Sequence, residues 1–151
     1  MRIALVTLLC TLVLTASGGT GTRAGDKAEV EKELKKFQGT WTFVSVEAGG
    51  KELPASEVAG LVLTFEGAMH TVKKGNEVIQ VGTQKLDPSK SPKAIDVTLT
   101  EGPKKGAVLL GIYEIDGDTL KVCFDGKKRP TEFKSPPGSE TFVNVHKRVK
   151  K

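Results

Sequence analysis

From residue 40 onward the apolar residues of this chain recur at every second position, and glycine-bearing turns interrupt the pattern at short intervals. Period-two alternation sends successive side chains to opposite faces of a strand, so one face can be buried while the other stays wet. The pattern predicts strands at 40–48, 61–66, 69–73, 77–86, 94–100, 107–115, 118–124 and 140–148. The first is rich in aromatic and β-branched residues, which suit a pleated surface. The stretch 107–115 is apolar on both faces and is expected to be central. Asp116-Gly117 is the strongest hairpin signal, read as a turn in which both residues accept positive φ. Residues 125–139 hold three of the seven prolines and read mostly as loop. Short antiparallel strands in succession close into a barrel or stack as a sandwich, and closure removes exposed edges. The expected fold is all-β: an antiparallel up-and-down barrel of about eight strands with one N-terminal helix.

The helix is expected at 28–37, after a loose leader at 25–27. Val30, Leu34 and Phe37 share one stripe, Asp26 stands where an N-cap belongs, and Gly39 suits the end. Pro54 to Val58 reads as one further helical turn.

The start of the chain has a different character. Met1-Arg2 is followed by a nearly unbroken apolar run from Ile3 to Leu14, then by Ser17, Gly18 and Gly19. A short basic start before an apolar core of this length reads as a secretory signal. A membrane-spanning helix would need roughly 20 apolar residues. Cys10 follows Leu9 within the apolar core, so a lipid anchor is rejected. The division is therefore signal peptide at 1–24, leader and helix at 25–38, and barrel domain at 39–149. Export to the periplasm or the extracellular space follows, with no membrane span in the mature chain.

Removing that segment changes the charge. The whole chain carries +5; without Arg2 and Arg23 it holds 21 basic against 18 acidic residues, a net charge of +3. The lysines are scattered; the densest run is Lys127-Lys128-Arg129, followed by Lys147 to Lys151 at the tail. Binding driven by phosphate neutralisation needs a clustered basic stripe, so nucleic acid is not an expected partner. Cys123 is left alone, so no disulfide forms within the mature chain, and it reads as a buried inert thiol.

Several ordered blocks resemble a known family. They are Phe37-Gln38-Gly39-Thr40-Trp41, Val44-Ser45-Val46-Glu47, Gly50-Lys51-Glu52-Leu53-Pro54, Lys85-Leu86-Asp87-Pro88, Thr100-Glu101-Gly102-Pro103, Asp116-Gly117-Asp118-Thr119-Leu120 and Arg129-Pro130-Thr131-Glu132-Phe133. Together they resemble the uncharacterised paralogous domain family of planctomycete bacteria, over about residues 34–148. The resemblance implies a small exported β-rich domain and no particular activity. Gly39-Thr40-Trp41 is also similar to the opening of lipocalin-like barrels. That likeness implies that Trp41 closes one barrel end beneath a basic residue of the last strand, Arg148 or Lys147, through a cation–π contact.

Reactive constellations are sparse. His70 and His146 fall on separate strands, without metal-ligand spacing. Asp116-Gly117-Asp118 lacks the later ligands of a calcium loop. No Gly-x-Ser-x-Gly and no phosphate-cradling glycine loop is present. Glu47, Asp96 and Glu114 are expected on a solvated outer face. No catalytic residue, metal or cofactor is expected.

Three functional readings stand. The first is a non-enzymatic exported domain that binds a small, partly apolar molecule among residues such as Phe43, Tyr113 and Phe124. The alternative is a module that binds an envelope protein through its outer face or loop 125–139, around a barrel filled by its own side chains. The third is a hydrolase-type enzyme. The chain is expected to act as a monomer.

Overall fold

A computed structural model describes residues 24–151. The signal segment read at 1–24 lies outside the described residues, save its last residue, Ala24. Helix α1 runs Ala24–Phe37, so it starts before residue 28 and takes in the expected leader. Asp26 is thus not an N-cap; it sits in the first turn, with Lys35 and Lys36 in the last. That placement complements the helix dipole at both ends, which supports the longer helix.

Nine strands follow: β1 (Gly39–Ala48), β2 (Lys51–Glu52), β3 (Leu61–Glu66), β4 (Met69–Lys74), β5 (Glu77–Asp87), β6 (Lys93–Glu101), β7 (Val108–Asp116), β8 (Thr119–Asp125) and β9 (Phe142–Arg148). A single turn of helix, α2 (Ala55–Val58), separates β2 from β3. Each strand from β3 to β8 pairs antiparallel with the next, and β1 pairs with both β3 and β9. The result is a closed eight-stranded barrel, with β2 added beside the end of β1. Closure gives every barrel strand two neighbours, so β7 is no more central than the rest.

Local sequence chemistry sets the hairpins. Asp116 pairs with Thr119, leaving Gly117 and Asp118 as the turn. Gly117 alone has positive φ, at 55°, and Asp118 does not. A two-residue turn that needs glycine only at its first central position explains this and corrects the expected double positive φ. Gly67-Ala68 and Gly75-Asn76 repeat the device, with glycine first in each.

The inward faces build one core. It includes Phe37, Trp41, Leu63, Phe65, Ile95, Tyr113, Leu120 and Phe124. Pairing between β1 and β9 shifts register between Phe43 and Ser45. This bulge resets the alternation of β1: Trp41 and Phe43 belong to the interior before it, Val46 and Ala48 after it, and Val44 is exposed. The outer face of β7 is covered as well. Ile112 packs with Cys123 and Val143 beneath Phe133 of the 125–139 segment. The two apolar faces of 107–115 therefore serve two cores, one inside the barrel and one under that loop.

Gly111 on β7 faces Phe124 on β8. A Cβ there would overlap the Phe124 ring and lie 2.8 Å from the Cys123 carbonyl oxygen. The ring thus fills space that any side chain at 111 would claim. Gly111→Ala is expected to cost about 1–3 kcal/mol, the usual range for overpacking. Urea unfolding checks this; unchanged stability would show that the ring has room to move.

Candidate ligand-binding cavity

One barrel end is shut by α1. Trp41 Nε1 donates to the Phe37 carbonyl at 2.8 Å. The Arg148 guanidinium lies over the Trp41 ring, 4.1 Å from its centroid. It also donates to the carbonyls of Gln38 and Lys36, at 2.6 Å each, which ties down the end of the helix. Phe37 enters the barrel and packs edge-on against Phe65 and Tyr113.

Beside this plug sits a polar knot that sequence reading missed. Glu33 is 1% exposed and accepts hydrogen bonds from Tyr113 Oη at 3.0 Å, from Lys93 Nζ at 3.1 Å and from Lys36 Nζ. Burial alone would disfavour its charge, but the bonds from Lys36, Lys93 and Tyr113 together outweigh it and hold the carboxyl below its ordinary range. Burial, and then the Glu33 hydrogen bond, push the Tyr113 phenol far above its ordinary value. A helix residue between Val30 and Phe37 on the same side gave the only sequence hint, and its charge pointed outward.

Above the plug the barrel is hollow. A cavity of about 360 Å³ opens toward the other end. Its deep wall includes the buried Leu63, Val97, Leu120, Val122 and Phe124, while Leu53, Leu61, Ile79 and Leu109 are partly exposed near the rim. Twelve waters at ~30 Å³ each would occupy that volume. Of the three expected ligand-contacting residues, the structure brings Phe43 and Phe124 to the cavity wall. Tyr113 is not among the lining residues; Glu33 and Phe37 take it up at the closed end. Glu47, Asp96 and Glu114 do not line the cavity either.

Among the lining residues, none is Asp, Glu, Lys or Arg, and the polar ones are His70, Gln80, Asn144 and His146. His70 Nδ1 lies 3.2 Å from Gln84 Oε1, and His70 Nε2 lies 3.4 Å from Gln80 Nε2. Burial lowers its pKa, with the Gln84 bond opposing. His146, 1% exposed, packs edge-on against Phe43 with ring centroids 4.4 Å apart. Burial pushes its pKa down to about 3, so the ring is neutral. Asn144 Oδ1 and His146 Nδ1 are buried without a hydrogen-bond partner. Sequence reading weighed His146 only as a metal ligand and gave Asn144 no role, although 142, 144, 146 and 148 share one face by period-two spacing.

A second hollow, of about 430 Å³, lies on the outer wall between the β5–β6 connection and residues 129–131. Two of its five charged side chains pair with each other. Arg129 pairs with Asp96 at 2.7 Å and donates to the carbonyls of Gly111 and Ile95. The segment 125–139 is likewise tied to the wall. Asp125 accepts from the Lys127 and Lys128 amides and from Thr141 Oγ1. Ser135 Oγ donates to the Thr141 carbonyl and accepts from the Gly50 amide. These bonds explain why β9 starts at Phe142 and not at residue 140. Cys123 lies beneath the segment, and burial raises its thiol pKa, so it is a poor nucleophile.

Among the described residues no cluster of three His, Cys, Asp or Glu could hold a metal, and no helix is long and apolar enough to cross a membrane. No family model, curated protein or solved structure matches the chain. The functional reading therefore rests on the cavity.

Proposed function

We propose that this is an exported, non-enzymatic domain, lipocalin-like and of the planctomycete family it resembles, that holds one small and largely apolar molecule inside its barrel. The cavity carries the reading. Its volume falls in the range of ligand pockets, about 300–1,000 Å³, and a few polar groups interrupt an apolar wall, as such pockets do. A barrel packed solid by its own side chains would leave no such space. The alternative, an interaction module acting through 125–139, is less well supported, because that loop's Phe133 and Ser135 are turned into the wall.

The test uses the neutral fluorescent dye N-phenylnaphthylamine. One dye should bind per protein, saturably. Val97 is buried on the cavity wall, so Val97→Trp fills the space with an indole. That variant is expected to weaken dye binding tenfold or more with the β-sheet circular dichroism unchanged. The reading fails if the dye does not saturate, or if Val97→Trp stays folded and binds as before. Mass spectrometry of protein purified natively from its source would identify a retained ligand.

A further inference from the structure

The reading as a binding protein leaves the chemistry of the ligand open, and the cavity wall narrows it. We infer that the ligand is uncharged and carries a hydroxyl or amide hydrogen that it donates to Asn144 Oδ1, beside His146. The inference rests on the binding reading and on three features of the wall.

The first is its lack of formal charge: no acidic or basic side chain lines the cavity. An ion taken into such a space loses its hydration and finds no counter-charge, which costs several kcal/mol. Nor does either histidine supply one at pH 8, since burial lowers both ring pKa values from the ordinary 6.5. A fatty acid carboxylate or an alkylammonium is therefore disfavoured.

The second is an imbalance among the polar groups. His70 is engaged by Gln84 and Gln80. Asn144 Oδ1 and His146 Nδ1 are not engaged by any protein group. A buried polar atom without a partner loses its hydrogen bonds to water and gains none, and such atoms in native proteins call for an explanation. A carbonyl oxygen can only accept, so its missing partner is a donor. A neutral imidazole offers one donor and one acceptor, which suits a hydroxyl or an amide.

The third is placement. Asn144 and His146 are two residues apart on β9, hence on the same face of the strand, and both line the cavity. Neither atom is exposed to the cavity as it stands, so one small polar head meets both once the two side chains turn toward it, while its apolar body lies along Leu63, Val97 and Leu120.

Displacement of N-phenylnaphthylamine by four ligands with the same ten-carbon body tests this at pH 8: decanol, decanamide, decanoate and decylammonium. Decanol and decanamide should displace the dye at concentrations at least tenfold lower than the two ions. In Asn144→Leu, decanol should weaken about 5- to 10-fold, the worth of one hydrogen bond, once its displacement curve is corrected for the dye's own affinity in that variant. Decanoate or decylammonium displacing the dye as well as decanol does would overturn the inference and leave the binding function standing. So would a folded Asn144→Leu that binds decanol as before. If that variant does not fold, the comparison in the native protein decides alone. If the dye never saturates, the binding reading and this inference fail together.

Discussion

Between pH 6.5 and about 3 this barrel should lose stability steadily as the pH falls, with His146 as a main cause. The ring is buried and neutral in the folded protein, with its pKa driven from 6.5 to about 3 by burial. Across that window the unfolded chain binds a proton at this residue and the folded chain does not. Stability then rises with pH, so the contribution is complete above 6.5 and is lost as pH falls through the window. The slope for one proton is about 1.4 kcal/mol per pH unit. His70, also lowered by burial, acts in the same direction. Glu33 and Asp125 add their loss only below the ordinary carboxylate values of 4.5 and 3.8, because both are held below them. The segment from pH 6.5 to 4.5 therefore isolates the histidines. Urea unfolding across that segment should show the slope, and His146→Phe should flatten it. A native protein equally stable at pH 6.5 and 4.5 would mean that His146 titrates near its ordinary value.

Trp41→Ala should be the most damaging single substitution, at about 3–5 kcal/mol. The indole is fully buried at the closed end of the barrel. Its loss leaves a large void, orphans the Phe37 carbonyl and takes the platform from under Arg148. Arg148 would still reach the carbonyls of Lys36 and Gln38, but with nothing to fix its plane. Helix α1 should then detach before the barrel unfolds, since little else among its described contacts is apolar beyond Leu34 and Phe37. Two measurements separate these effects. Urea unfolding reports the global loss, and limited proteolysis should cut α1 first. A cost under about 1 kcal/mol, with α1 still protected, would show that the barrel end is closed by other means. Arg148→Lys keeps the charge without the planar fork, so it should cost less than Trp41→Ala while still loosening α1.

Much of the architecture was legible because it is written locally. A period of two, broken by glycine turns, places all eight barrel strands close to where they lie. Gly117 sets its hairpin by backbone freedom alone, whereas the basic residue over Trp41 was implied only by the likeness to lipocalin-like barrels, which left Arg148 and Lys147 both open; the structure puts Arg148 there. The cavity was legible only in part. Phe43 and Phe124 follow the inward alternation of their strands and do line it. Tyr113 follows the same rule but lies deeper, where a helix from the other end of the sequence has already filled the space. Glu33 could not be read as buried, because its burial depends on Lys93 and Tyr113, far along the chain.

By itself the sequence determined the all-β class, the strand and turn positions and the outline of an N-terminal helix, because these follow from side-chain periodicity and backbone preference over a few residues. Tertiary structure alone decided that β1 meets β9, that a bulge turns Val46 and Ala48 inward, that α1 stoppers one end and that the other end stays hollow. It also decided that Asn144 and His146 stand unpartnered in the wall. The physical reason is that enclosed volume and unmet hydrogen bonds belong to surfaces brought together from distant parts of the chain. No local pattern records what stands on the opposite side of a barrel.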